Sequence, residues 1–296
     1  MHSDPSRPVF IIGGSRTGST MLQVILTKSP NIALAEELQF RAPAWLHRDL
    51  ESDIRKHVGS LNSPGALDRL MDLLYSGIPV GWFWSAAERL LDRDMLYEQL
   101  AGQPLSMRVI FDAILTVHAR MRNKKCMGAK FPVHYSYAQQ LLEWYPDCRL
   151  IHTTRNPKAV YASQAAKYLK SEQSTVKKSL MRFRQFVHIN IQISWTAHVH
   201  RKLSHLPNYR LVRYEDLVLE PESEIRQLCS FLEIAFQQDM LKPKQFGSSF
   251  DGIGNNNHGI ERSSLEKWRT SISRLTARAI DVLHPRAYRS LGYDND

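Results

Sequence analysis

Four consecutive apolar residues, Val9-Phe10-Ile11-Ile12, lead into Gly13-Gly14 near the start of the chain. A short apolar run stopped by glycine predicts a buried strand. Met21, Leu22, Ile25 and Leu26 follow at helical spacing, so the opening reads strand, glycine turn, helix, the first half of a βαβ unit. Ser29-Pro30-Asn31 ends that helix, and Ile32-Ala33-Leu34 begins the next extended piece.

The pattern repeats downstream. Several helical segments occupy residues 64 to 124, interrupted between Gly77 and Gly81, as a helical insertion. Met127 to Phe131 and Arg149 to Thr154 predict strands, each followed by a turn and a helix, over Tyr137 to Trp144 and from about Pro157; proline suits a first helical position. A long helix is expected over Thr175 to Leu203, a strand over Tyr209 to Tyr214, and helices over Glu222 to Leu232 and Leu275 to Leu283. Phe246 to His258 is rich in Gly, Ser and Asn and reads as a loop. With no repeat and no low-complexity linker, residues 1–296 are expected to form a single α/β domain, a P-loop-like three-layer sandwich with a mostly parallel central sheet.

Composition narrows the class only slightly. The chain has 296 residues, 43% hydrophobic and 23% charged, which is ordinary for a globular enzyme. No run of about 18 apolar residues is present to span a bilayer. Met1 to Pro8 lacks the apolar core of a secretory signal, so a cytoplasmic location is expected. Cys126, Cys148 and Cys229 are too few and scattered for a disulfide framework, and no CxxC or HExxH spacing suggests a metal. The net charge of +10 suits an anionic ligand, a membrane surface or nucleic acid. The densest basic cluster, Arg120, Arg122, Lys124 and Lys125, lacks interleaved aromatics and reads as a solvated helix end, so nucleic acid is not expected as a partner.

The chemistry begins at Gly13-Gly14-Ser15-Arg16-Thr17-Gly18-Ser19-Thr20. Glycines let the backbone wrap an anion, and the helix that follows presents N–H groups to it. The spacing is that of a P-loop, GxxxxGxT, yet Ser19 fills the lysine position. An NTP hydrolase needs that lysine and a magnesium-binding aspartate at a second strand end. Neither the Lys130 strand nor the Thr154 strand ends in aspartate, and Arg16 supplies positive charge from within the loop.

These residues resemble the sulfotransferase superfamily that uses 3'-phosphoadenosine 5'-phosphosulfate (PAPS). FIIGGSRTGST resembles its 5'-phosphosulfate loop, which implies that Gly14, Ser15, Arg16, Thr17, Gly18, Ser19 and Thr20 contact the donor. Arg155-Asn156-Pro157-Lys158-Ala159-Val160-Tyr161-Ala162-Ser163 resembles its 3'-phosphate motif, with Arg155 and Ser163 as the gripping residues and Lys167 one helical turn on. The resemblance runs nearly end to end and is closest to the tyrosylprotein sulfotransferase type. Ser29-Pro30-Asn31 through Glu36-Glu37 is similar to its HPD…GEE segment, Arg213-Tyr214-Glu215-Asp216-Leu217 to its HYEQL strand end, and Ser264-Leu265-Glu266-Lys267-Trp268 with Leu291-Gly292-Tyr293 to its LSKW…LGYD pattern. Tyr214 is thereby implied near the adenosine and Lys267 on the cofactor.

The same resemblance makes Glu37 the catalytic base and Lys130 the stabiliser of the bridging oxygen; Arg16 and Lys130 are the catalytic candidates for preorganised charge where negative charge develops. Neighbouring glutamates point in different directions, so only one of Glu36 and Glu37 is expected to face the donor. Strand ends in a parallel sheet share a rim, which would gather Gly14, Lys130 and Arg155. Gly254 to His258 is one candidate for further cofactor contacts, and His258 for a second base. Trp82, Phe83 and Trp84 are expected in the core more than around an acceptor.

The resulting expectation is metal-independent, in-line sulfuryl transfer (EC 2.8.2 class) to a hydroxyl of a peptide tyrosine, carbohydrate or small molecule, by a chain with no membrane span that is free to form a homodimer. A P-loop nucleotide kinase or NTPase, and a non-catalytic nucleotide-binding protein, are the competing readings.

Overall fold

A computed structural model describes residues 7–41, 48–132, 137–169, 174–243, 260, 262 and 265–293. Five strands, β1 (Val9–Gly13), β2 (Ala35–Glu36), β3 (Gly128–Pro132), β4 (Arg149–Thr154) and β5 (Tyr209–Arg213), form one sheet in the order β2-β3-β1-β4-β5. Every pairing is parallel.

Strand alternation splits the apolar run of β1 between two cores. Phe10 and Ile12 face one cluster with Phe111, Ala129, Phe131 and Leu150. Val9 and Ile11 face another with Leu22, Ile25, Ile151, Val212 and Leu228. A strand buried on both faces has no polar side to alternate, hence the unbroken apolar run.

The first layer of helices lies mostly between β2 and β3: α2 (Leu50–His57), α3 (Ala66–Tyr75), α4 (Trp82–Ser85), α5 (Ala87–Leu90), α6 (Arg93–Leu100) and α7 (Met107–Arg120), with α8 (Ala138–Trp144) before β4. Phe83 and Trp84 are buried in this core, and Trp84 donates its indole N–H to the Leu38 carbonyl at 2.7 Å. The opposite face carries α1 (Ser19–Leu26), with α11 (Tyr214–Leu219) and α12 (Pro221–Leu232) after β5. Two residues of the basic cluster bond to backbone carbonyls: Arg122 donates to that of His118 at the end of α7, and Lys124 to that of Ser29, beyond α1.

Between β4 and β5 stand α9 (Pro157–Leu169) and the long α10 (Thr175–Leu203), and α13 (Lys267–Ser271), α14 (Arg274–Leu283) and α15 (Pro285–Ser290) close the chain around them. Lys158 pins this group. Fully buried on α9, it pairs with Asp281 of α14 at 3.1 Å and lies 4.6 Å from the Trp268 ring centre of α13. The three cysteines are buried free thiols, and burial pushes those of Cys126 and Cys148 up to about 12.

Candidate active site

The loop between β1 and α1 passes through two left-handed positions, Arg16 with φ 68° and Gly18 with φ 89°. Glycine takes such a conformation freely, while arginine does so at a cost of about 1–3 kcal/mol. The surroundings hold the loop in place. Thr17 Oγ1 donates to the Gly14 carbonyl at 2.8 Å and lies 2.7 Å from Thr153 Oγ1 of β4. Its hydroxyl therefore staples the loop to the sheet. Gln192 of α10 donates to the Ser15 carbonyl at 3.3 Å, receives a bond from Gln164 at 3.4 Å, and packs so closely that a Cβ on Gly14 would sit 1.9 Å from it.

The second motif meets the first directly. Arg16 Nε donates to Ser163 Oγ at 2.9 Å, across 147 residues of sequence. Arg155 follows the end of β4, stacked at 4.1 Å over the Tyr214 ring. Tyr214 lies in turn against Gly18, where a Cβ would meet its Cδ2 at 2.4 Å. Burial pushes the Arg155 guanidinium below its ordinary value; Tyr214 and Glu215 oppose that shift, and Arg16 adds to it as a neighbouring like charge. The two guanidinium groups are therefore near enough for their like charges to repel. An anion held between them would relieve both desolvation and repulsion.

The turn carrying Arg155 is braced from far along the chain. Glu215 accepts from the Asn156 N–H at 2.8 Å and from the Tyr293 hydroxyl at 2.9 Å. Asn156 in turn caps α9 by accepting from the Lys158 N–H at 2.9 Å. Lys167 is half-buried one turn beyond Ser163, and Lys267 is exposed at the start of α13, the helix packed beside α9.

The carboxylates depart from expectation. Glu36 pairs in register with Lys130, and ordinary strand alternation would turn Glu37 to the opposite face. Instead Glu37 adopts φ 49°, and its side chain swings back. Both glutamates reach Lys130, Nζ lying 3.3 Å from Glu36 Oε1 and 3.0 Å from Glu37 Oε1. Lys130 also donates to Thr20 Oγ1 at 3.2 Å and is wholly buried. Lys130 sits in the middle of β3, opposite Ile11, not at the strand end as anticipated. Its long side chain joins it to the glutamates and the loop. Ser19, at the position of the P-loop lysine, is buried as the first residue of α1.

The sequence reading missed Gln192, Gln164 and Glu215 as supports, since nothing local marks a glutamine or glutamate that bonds to a distant backbone. Gly254 to His258 lies outside the described residues. Among the described residues, no three His, Cys, Asp or Glu side chains converge as a metal-binding set.

A sequence model described as the Sulfotransferase family matches residues 8–238. An uncharacterized protein of Aquifex aeolicus is 28% identical over 294 residues, which cover 94% of this chain and 32% of that protein. Omega-hydroxy-beta-dihydromenaquinone-9 sulfotransferase Stf3 of Mycobacterium bovis is 26% identical over 261 residues, 78% of this chain and 63% of the relative. The chain therefore spans less than two thirds of the length of these curated relatives. The sulfotransferase domain from the curacin biosynthetic pathway shares the fold, with a TM-score of 0.60 at 19% identity over 98% of this chain and 99% of that one.

Proposed function

The chain belongs to the sulfotransferase family, and we propose that it transfers a sulfuryl group from PAPS to an acceptor hydroxyl with Glu37 as base. One observation carries the reading: the bond from Arg16 to Ser163 unites the two phosphate motifs, and Arg155 is joined to the same loop through Tyr214, which packs on Gly18. The donor set suits a doubly phosphorylated nucleotide. Two forked guanidinium groups, a serine hydroxyl and the start of α1 offer charge-assisted hydrogen bonds to phosphate oxygens.

When bound, PAPS supplies the electrophilic sulfur and the phosphate leaving group. Arg155 and Ser163 hold the 3'-phosphate, with Lys167 and Lys267 adding positive charge nearby. Gly14 to Thr20 hold the 5' end, and Tyr214 stacks beside Arg155 at the adenosine side. Glu37 takes the proton from the acceptor hydroxyl. Lys130, already between Glu37 and Thr20, shifts a hydrogen bond onto the oxygen that gains charge as its bond to sulfur breaks. Lys130 is buried at the site before the reaction, so stabilising that oxygen requires only a local exchange of hydrogen bonds.

Stf3 is named for a hydroxyl-bearing acceptor, omega-hydroxy-beta-dihydromenaquinone-9, and this supports an alcohol on a hydrophobic molecule as the acceptor class here. The test is incubation of the protein and radiolabelled PAPS with separated lipid and protein fractions of a cell extract. Label in a lipid-fraction alcohol, lost with Glu37→Gln, is expected. Label confined to protein would move the acceptor to a peptide tyrosine, and no transfer to either fraction would contradict the reading.

A further inference from the structure

Six large apolar side chains on α10 face solvent: Val176, Leu180, Phe183, Val187, Ile191 and Trp195, with exposures from 41% at Val187 to 79% at Val176. They recur every three or four residues, so they form one stripe along the helix. The stripe lies opposite the face that carries the buried Gln185, Ile189, Gln192, Ile193 and Thr196. A solvated helix would place polar residues there. Next to it, α14 exposes Leu275, Val282 and Leu283, and His284 Nδ1 lies 3.4 Å from Ser194 Oγ of α10.

Charge identifies what covers this face. The 29 residues of α10 contain Lys177, Lys178, Arg182, Arg184, Arg201 and Lys202, and no Asp or Glu. A second copy seated on the stripe would bring like charges together. An apolar stripe on a helix whose charged residues are all basic complements an anionic lipid surface, where side chains enter the acyl boundary and lysines and arginines meet the headgroups. No helix of the described residues is long and apolar enough to cross a membrane, so the contact lies on the surface.

The position of the stripe gives it a function. His200, near the end of α10, lies 3.2 Å from the hydroxyl of Tyr209, the first residue of β5. Gln192 reaches Ser15, just past the last residue of β1. α10 therefore runs antiparallel to the strands and crosses the rim that bears the phosphate loop near Gln192. The segment from Val176 to Gln192 continues beyond that rim for about 24 Å, on the same side as Arg16 and Arg155.

We infer that the outer face of α10 docks on an anionic lipid bilayer and so presents the donor site to an acceptor hydroxyl carried by that membrane. The docking stands on α10 alone; the nature of the acceptor rests on the sulfuryl-transfer reading above. Ile191 and Gln192 are adjacent, so one turn of helix touches both the bilayer and the phosphate loop.

The test is sedimentation of the full chain with vesicles of phosphatidylglycerol and phosphatidylcholine, or of phosphatidylcholine alone, alongside calorimetric binding of adenosine 3',5'-bisphosphate. Mixed anionic vesicles should bind the protein at least tenfold more tightly than neutral ones. Phe183→Glu with Val187→Glu should lower vesicle binding at least tenfold and leave nucleotide affinity within about twofold, which also reports that the variant is folded. Failure of the wild type to bind anionic vesicles, or equal binding by the variant, overturns the proposal. A wild type that is dimeric, ignores vesicles and becomes monomeric on substitution assigns the face to a second copy instead. Vesicle binding without nucleotide binding would sink the sulfuryl-transfer reading and leave the docking intact.

Discussion

Lys130 Nζ lies 3.0 Å from Glu37 Oε1 in a fully buried position, and a left-handed backbone at Glu37 makes the contact. In the proposed mechanism the pair keeps the base and a cation in contact before any substrate arrives. Glu36 provides the lysine with a second carboxylate at 3.3 Å, so one glutamate can exchange partners while the cation stays paired.

Glu37→Gln should therefore retain the fold and the nucleotide site while losing the base. A fall in kcat of about 10²–10⁴-fold is expected from losing general base catalysis, with affinity for adenosine 3',5'-bisphosphate unchanged. Steady-state kinetics beside calorimetry checks this. Unchanged turnover would remove Glu37 from the mechanism.

Lys130→Met tests the same pair from the other side. It leaves the buried Glu37 and the partly buried Glu36 without the cation they share, which should destabilise the protein by about 3–5 kcal/mol. Adding Glu37→Gln removes one of the two charges and should restore part of that loss. Urea melts of both variants measure the difference, and an equal loss in the two would show that the lysine does not pair with Glu37.

Gly18 combines φ 89° with the Tyr214 ring at the place a Cβ would occupy. Gly18→Ala should cost about 1–3 kcal/mol in backbone strain and displace Tyr214 from Arg155, weakening nucleotide binding. Thermal melting and calorimetry should show both effects together, whereas a loss of stability with full affinity would uncouple Tyr214 from the site.

Burial lowers His118 and His152 to about 3, with Arg122 and His200 respectively adding to the shift. The unfolded chain, with histidine near 6.5, binds more protons than the folded one between these values. Stability therefore falls as pH drops below about 6.5, by about 2 kcal/mol per histidine at pH 5. Chemical denaturation at pH 7 and pH 5 measures the loss, and His118→Phe should remove about 2 kcal/mol of it.

The layers of the fold were legible in the sequence. β4 spans Arg149–Thr154 and α10 spans Thr175–Leu203, as their patterns predict, because each is bounded by local turn or cap residues such as Ser174. Arg155 and Ser163 were nominated by the resemblance of their segment to a 3'-phosphate motif, and the structure brings Ser163 to Arg16. What stayed hidden depends on distant partners or unusual backbone. A glutamate carries no sign that it will adopt positive φ, so the convergence of Glu36 and Glu37 on Lys130 could not be read. Nor does any local pattern announce that Glu215 and Tyr293 will brace the Arg155 turn from elsewhere in the chain. The exposed stripe of α10 has helical spacing like a core face; only the structure tells which of its two apolar faces is buried.

The central claim is that Arg16 and Arg155 serve one nucleotide, and a double-mutant cycle tests it most directly. Calorimetry of adenosine 3',5'-bisphosphate with the wild type, Arg16→Ala, Arg155→Ala and the double variant should show each single change weakening binding more than tenfold. The loss in the double variant should differ from the product of the two, as expected for groups that share a ligand. Wild-type affinity in either single variant would contradict the claim.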